Sequence, residues 1–151
     1  MRYASPDCRL SIMESKWGLI PDMSLTVTLR ELVRMDVAKE LTMTGRIVLG
    51  EEAARLGLVT HCVNDPLEQA IQLATQISHR SPDSVAAAKR LFQETWHAED
   101  DQRCLEVETK LQRHLIASWN QGAASARNFG IQLPYKDRME LEDADPEEIN
   151  K

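Results

Sequence analysis

The chain has 151 residues, a net charge of −6 and a pI near 5.2, so it is of single-domain size and lacks the basic excess that holds nucleic acid or an anionic membrane surface. Hydrophobic residues make up 42% but aromatic residues only 5%, which leaves the core to Leu, Ile, Val, Ala and Met and favours packed helices over a sheet sandwich. Cys8, Cys62 and Cys104 are odd in number and far apart, and the four histidines form no HxxxH pattern. A disulfide framework or zinc site is therefore not expected, and free thiols in a reducing compartment are.

The opening residues, 1–7, have no apolar core and do not read as a secretory signal. They read as a strand end entering a turn, as in a chain cut within a domain. No apolar run reaches the length of a membrane span. A short strand is expected over 9–12, after the Ser5-Pro6-Asp7 turn, and a loop over 13–22, where Gly18 and Pro21 fall. Leu25, Leu29, Leu32 and Val33 have helical spacing, with Asp22 or Ser24 as the cap of a helix over 25–35. Asp36 is expected to cap a second helix through Leu41, closed by Gly45.

Glu51 and Glu52 open a short helix that Gly57 stops, and 58–63 then read as a strand. Pro66 suits the first turn of the next helix, whose face is Leu67, Ala70, Ile71, Ala74 and Ile77; the spacing points to a packing face. Ser81-Pro82-Asp83 starts a helix to about His97, a long one is expected from Asp101 to about Trp119, and a short one over 120–129. From Met139 the chain turns acidic, as a mobile tail does.

Five motifs in order carry a more specific signal. They are Tyr3-Ala4-Ser5-Pro6-Asp7 leading to Glu14; Trp17-Gly18-Leu19-Ile20-Pro21-Asp22; Leu41-Thr42-Met43-Thr44-Gly45-Arg46 with Gly50 to Val59; Ser81-Pro82 with Ala86-Ala87-Ala88-Lys89; and Pro134-Tyr135-Lys136-Asp137-Arg138. This series resembles the crotonase, or enoyl-CoA hydratase/isomerase, family over residues 1–138. The resemblance implies an α/β fold, the C-terminal part of the crotonase (ClpP-like) superhelix, helix-rich in this portion. It implies that 1–63 end the core, that 64–138 form a helical oligomerisation region packing into homotrimers or hexamers, and that 139–151 are the tail. A soluble protein of a bacterial cytoplasm or a mitochondrial matrix would fit.

The family stabilises a thioester enolate with two backbone N–H donors and moves protons with carboxylates. The resemblance implies that Glu14 is one of the two hydratase glutamates, and that Asp22, eight residues on, completes a pair like that of dienoyl-CoA isomerases. The second hydratase glutamate and both N–H donors would lie upstream of the matched motifs, so the chain alone is expected to be inactive. The resemblance implies an acyl-CoA thioester as the substrate of the complete enzyme, and no separate cofactor, metal, nucleic acid or membrane partner is expected. Trp17 is a candidate for the acyl pocket, against a core or interface role. Without the resemblance Glu14 reads as a solvated loop carboxylate and Asp22 as a turn or cap residue. Arg127 and Lys136 lie where the family approaches CoA phosphates, against a reading as solvated surface charge. The alternative for the whole chain is a non-catalytic oligomerisation subunit.

Overall fold

The strands are two residues long each, and each pairs with a segment distant in the chain. In the computed structural model, which describes residues 1–141, Tyr3–Ala4 (β1) pairs in parallel with His61–Cys62 (β4). Arg9–Leu10 (β2) pairs antiparallel with Val48–Leu49 (β3). The expected strand over 58–63 is thus only two residues long, since Thr60 and His61 both turn their N–H groups to the Arg2 carbonyl (2.8 and 3.1 Å).

Between the strand pairs lie Leu25–Leu29 (α1), Met35–Thr44 (α2) and Gly50–Leu56 (α3). Leu41, Val48, Ala53 and Val59 form the buried cluster with Ala4, and Leu10, Ile12 and Val37 pack against it. Burial of a side chain such as Leu41 contributes roughly 1.5–3 kcal/mol. Gly50 is required where it stands: a Cβ there would lie 2.0 Å from the Ser5 carbonyl oxygen, so no side chain fits without moving the β1 turn. Arg46 ties α2 to α3 with a bidentate grip on Glu52 (2.8 and 3.1 Å) and a bond to Glu40 (2.7 Å). Those bonds hold the Glu52 carboxyl below the usual carboxylate range.

Two helix boundaries differ from expectation. α1 ends at Leu29, well short of residue 35, because the N–H groups of Leu32 and Val33 both turn back to the Leu29 carbonyl (2.9 and 3.1 Å). α2 begins after Arg34, so Asp36 sits in its first turn instead of capping it.

The described chain divides into two compact units, Met1–Leu73 and a second from Ala74 onward. Pro66–Ser78 (α4) begins in the first, with the Asp65 carboxylate accepting from the Glu68 N–H (3.0 Å) as its cap. None of its residues is buried: Leu67 is 70% exposed and Ile71 52%. The expected packing face is therefore open among the described residues.

In the second unit Pro82–Thr95 (α5) packs on Asp101–Leu115 (α6) and on Trp119–Asn128 (α7). The long helix expected to Trp119 stops at Leu115, because Ala117 takes a left-handed φ of 63° and Ser118 caps α7 instead, accepting from the Gln121 N–H (3.2 Å). Residues 131–141 have no helix or strand and run as a strap held by side chains. Asn120 Oδ1 accepts from the Lys136 N–H (2.8 Å), its Nδ2 donates to the Lys136 carbonyl (3.2 Å), and Trp119 Nε1 donates to the Pro134 carbonyl (3.0 Å). Buried Asp83 accepts from the Met139 N–H and from Asn120 Nδ2, both at 2.8 Å. Arg90 donates to the Leu141 carbonyl (3.1 Å). Of the acidic tail expected from Met139, residues 139–141 are thus anchored at two points, and the remainder lies outside the described residues.

Candidate active site

Ile12 packs on the core cluster, and the chain leaves it directly for a 3-10 turn, Glu14–Trp17, where a loop was expected. Lys16 donates its N–H to the Met13 carbonyl and Leu19 to the Glu14 carbonyl, both at 3.0 Å, and Gly18 closes the turn in the left-handed region. Glu14 is half-buried on this turn. Its carboxylate has no hydrogen-bond or ion-pair partner among the described residues, and it is therefore uncommitted to any structural task.

Asp22 lies beyond the turn, exposed, with its carboxylate likewise unpartnered. It caps no helix: the residue at the cap of α1 is Ser24, held at φ 60° and ψ 21° without any side-chain cap bond. Trp17 is 75% exposed among the described residues. No hydrogen bond, ion pair or ring contact joins Glu14, Trp17 and Asp22 to one another. What the structure does bring to this neighbourhood is an apolar cleft of about 530 Å³ that starts at Pro21 and runs between α1 and α2, past Leu25, Leu29, Val33, Met35 and Lys39. Neither carboxylate nor Trp17 lines it. Sequence periodicity had marked Leu25, Leu29 and Val33 as a helix face, but nothing in that pattern distinguishes a face that fills a core from one that lines a cleft.

Arg127 and Lys136 are engaged within the second unit. Arg127 donates to the His79 carbonyl (3.2 Å) and twice to the Leu133 carbonyl (3.3 and 2.9 Å), with its guanidinium 3.9 Å above the Tyr135 ring. Lys136 Nζ lies 4.7 Å from the Trp119 ring centre. Arg127 is therefore not a free surface charge; its fork is committed to holding the strap. Among the described residues no group of three or more His, Cys, Asp or Glu side chains is arranged to hold a metal ion, and no helix is long and apolar enough to cross a membrane.

The chain resembles known proteins along most of its length. It is 35% identical over 97 residues to an enoyl-CoA hydratase of Mycobacterium tuberculosis, covering 63% of this chain and 36% of that protein. It is 33% identical over 87 residues to a carnitinyl-CoA dehydratase of Salmonella typhi, covering 56% and 33%. The structure superposes on an enoyl-CoA hydratase of Mycobacterium marinum with a TM-score of 0.76 at 28% identity, covering 87% of this chain and 53% of that one. The chain thus spans about a third of the curated relatives it matches and about half of the solved chain. The architecture is that of the crotonase fold, helix-rich in this portion, as the ordered motifs implied. The sequence profile described as enoyl-CoA hydratase/isomerase matches residues 1–129, and with the fold in agreement the chain belongs to that family.

Proposed function

We propose that the chain supplies a proton-transfer carboxylate to an enzyme acting on acyl-CoA thioesters, with Glu14 as the general acid–base group and Asp22 as its partner in double-bond migration. The observation that carries this reading is the Glu14 turn: a half-buried carboxylate on a fixed 3-10 turn, anchored by Ile12 on the core and committed to no structural partner. A catalytic carboxylate must be held in place by its backbone while its oxygens stay available, and this combination provides both. The relatives described above are named as a hydratase and a dehydratase of CoA-linked substrates. Enolate stabilisation needs N–H donors aimed at the thioester oxygen. Glycines here are scattered at 18, 45, 50, 57, 122 and 130, so the chain has no Gly-rich segment to present them, and turnover requires a complementary portion of the fold.

A second reading has its own support. In the first unit Trp17, Ile20, Met23 and Leu67 are each at least 70% exposed, apolar side chains suited to association. In it the chain is a non-catalytic subunit that assembles with a complete enzyme into trimers or paired trimers. The test is fragment complementation: the chain is mixed with the N-terminal portion of a family hydratase, and loss of a conjugated enoyl-CoA chromophore is followed. Turnover that Glu14→Gln lowers by about a hundredfold or more, and isomerisation that Asp22→Asn removes while hydration persists, is the expected pattern. Full turnover in Glu14→Gln rejects the catalytic reading and leaves assembly without chemistry.

A further inference from the structure

The Glu14 turn rests on a second element, and the contact is made by residues that no motif singled out. Gly45, the left-handed residue (φ 57°) that ends α2, is buried. Ser11 Oγ donates to the Gly45 carbonyl at 2.9 Å, three residues before Glu14. On the other side of Glu14, Ser15 Oγ and the Lys16 side chain lie against the Gly45 α-carbon. A Cβ added there would stand 3.0 Å from Lys16 Cε, 3.2 Å from Lys16 Cγ and 3.3 Å from Ser15 Oγ. The same glycine is therefore gripped from both flanks of the Glu14 segment.

We infer that Ser11 and Gly45 are positioning residues that seat the Glu14 turn on the C-terminal end of α2. The inference rests on the reading of Glu14 as the proton-transfer group, but its geometric half stands without it. The physical argument is one of leverage. The turn itself is closed by short-range backbone bonds, Lys16 N–H to Met13, Gly18 N–H to Ser15 and Leu19 N–H to Glu14, and a 3-10 turn of four residues is too short to be rigid alone. A bond to the Gly45 carbonyl before Glu14 and the packing of the Ser15 and Lys16 side chains on Gly45 after it hold both ends of the arc on which the carboxylate rides. Gly45 suits this place by its positive φ, and a Cβ there would press on the Lys16 side chain. α2 spans one side of the apolar cleft, through Met35, Ala38, Lys39, Thr42 and Met43, so the helix that seats the carboxylate also forms a wall of that cleft. Occupancy of the cleft and placement of Glu14 then act on one rigid body.

Amide hydrogen exchange on the full chain tests the seat without reference to activity. Ser11→Ala removes only the bond to Gly45, and exchange at Lys16, Gly18 and Leu19 should speed up about tenfold, the value of one lost hydrogen bond. Exchange at Thr60, His61 and Val63, whose N–H groups bond to Arg2 and Ala4, should stay unchanged. Ser11→Thr keeps the hydroxyl and should restore the slow rates. In the complemented assembly, Ser11→Ala should lower kcat about tenfold with KM within twofold, again rescued by Ser11→Thr, because a mispositioned carboxylate weakens the proton transfer and not the binding. Gly45→Ala should act in the same direction, and Ser11→Ala remains decisive if that variant does not fold. Unchanged exchange at the turn in Ser11→Ala overturns the seat. Faster exchange with unchanged kcat, in an assembly that Glu14→Gln also leaves active, keeps the seat and rejects the catalytic reading of Glu14.

Discussion

Replacing Asp83 with alanine should loosen the strap and destabilise the second unit by about 3 kcal/mol. The magnitude follows from what the carboxylate does. Asp83 is 1% exposed and accepts from two donors, the Met139 N–H and Asn120 Nδ2. Each donor stranded in a covered site costs roughly 1–3 kcal/mol; Met139 is half-buried and sits near the low end, while Asn120 is 2% exposed and its Nδ2 retains only the longer bond to the Lys136 carbonyl. A further contribution of about 0.3–1 kcal/mol is lost because the carboxylate lies in the first turn of α5, where negative charge complements the helix dipole. Asp83→Asn separates these parts. Its remaining oxygen still accepts from Met139, but its new N–H₂ faces the Asn120 amide donor. Asn120 cannot turn its oxygen inward without releasing the Lys136 N–H. About half of the loss, roughly 1.5 kcal/mol, should therefore remain. Urea unfolding followed by circular dichroism reads both values from the midpoint at a constant slope, and hydrogen exchange at Met139 and Lys136 localises the effect. A shift below about 0.5 kcal/mol in Asp83→Ala, or identical losses in the two variants, would refute the reasoning.

Two further outcomes are expected. Ser24 holds a left-handed backbone at the start of α1 and its side chain caps nothing; glycine there relieves roughly 1–2 kcal/mol of strain against about 0.5–1 kcal/mol of lost chain entropy. Ser24→Gly should accordingly raise the melting temperature by about 2 °C, and a lowered one in calorimetry contradicts the strain. Burial pushes the Cys62 thiol above the ordinary range, with Glu51 and Cys8 adding to the shift, so at mildly alkaline pH it should react with iodoacetamide more slowly than free cysteine. Because the folded value is the higher one, the associated stability is complete below the unfolded thiol's pKa. It is lost as pH rises through the folded value. Alkylation of Cys62 at the free-thiol rate, read by mass spectrometry, speaks against that environment.

The helices were legible where punctuation and periodicity agreed. Ser81-Pro82 and Asp65-Pro66 marked the starts of α5 and α4 correctly, since a hydroxyl or carboxylate accepting from the first turn is a local event. α1 and α6 were read too long because their ends depend on backbone dihedrals, the turn after Leu29 and the left-handed Ala117, for which no Gly or Pro gave notice. The pairing of β1 with β4 was not legible at all. A two-residue strand has no periodicity, and its partner lies 58 residues away, as far as Arg2 is from Thr60. At the candidate site the family motifs delivered Glu14, Trp17 and Asp22 as positions, but not Ser11 and Gly45 as the seat. Their contact depends on how a helix end meets a turn 34 residues away. The periodic face of α4 specified an apolar stripe without saying what covers it, and in the described chain nothing buries it.

The parallel register of Tyr3 with His61 and Ala4 with Cys62 also sets a clock on biosynthesis. At roughly 5–20 residues per second, a ribosome makes Cys62 about 3 to 12 seconds after Ala4. During that interval α2 can form from local contacts, but β1 lacks β4 and the turn at Ser5 lacks Gly50 until that residue is made. Tyr3 and Ala4 therefore wait for this pairing until α3 and β4 emerge, and any chain terminated before His61 lacks it.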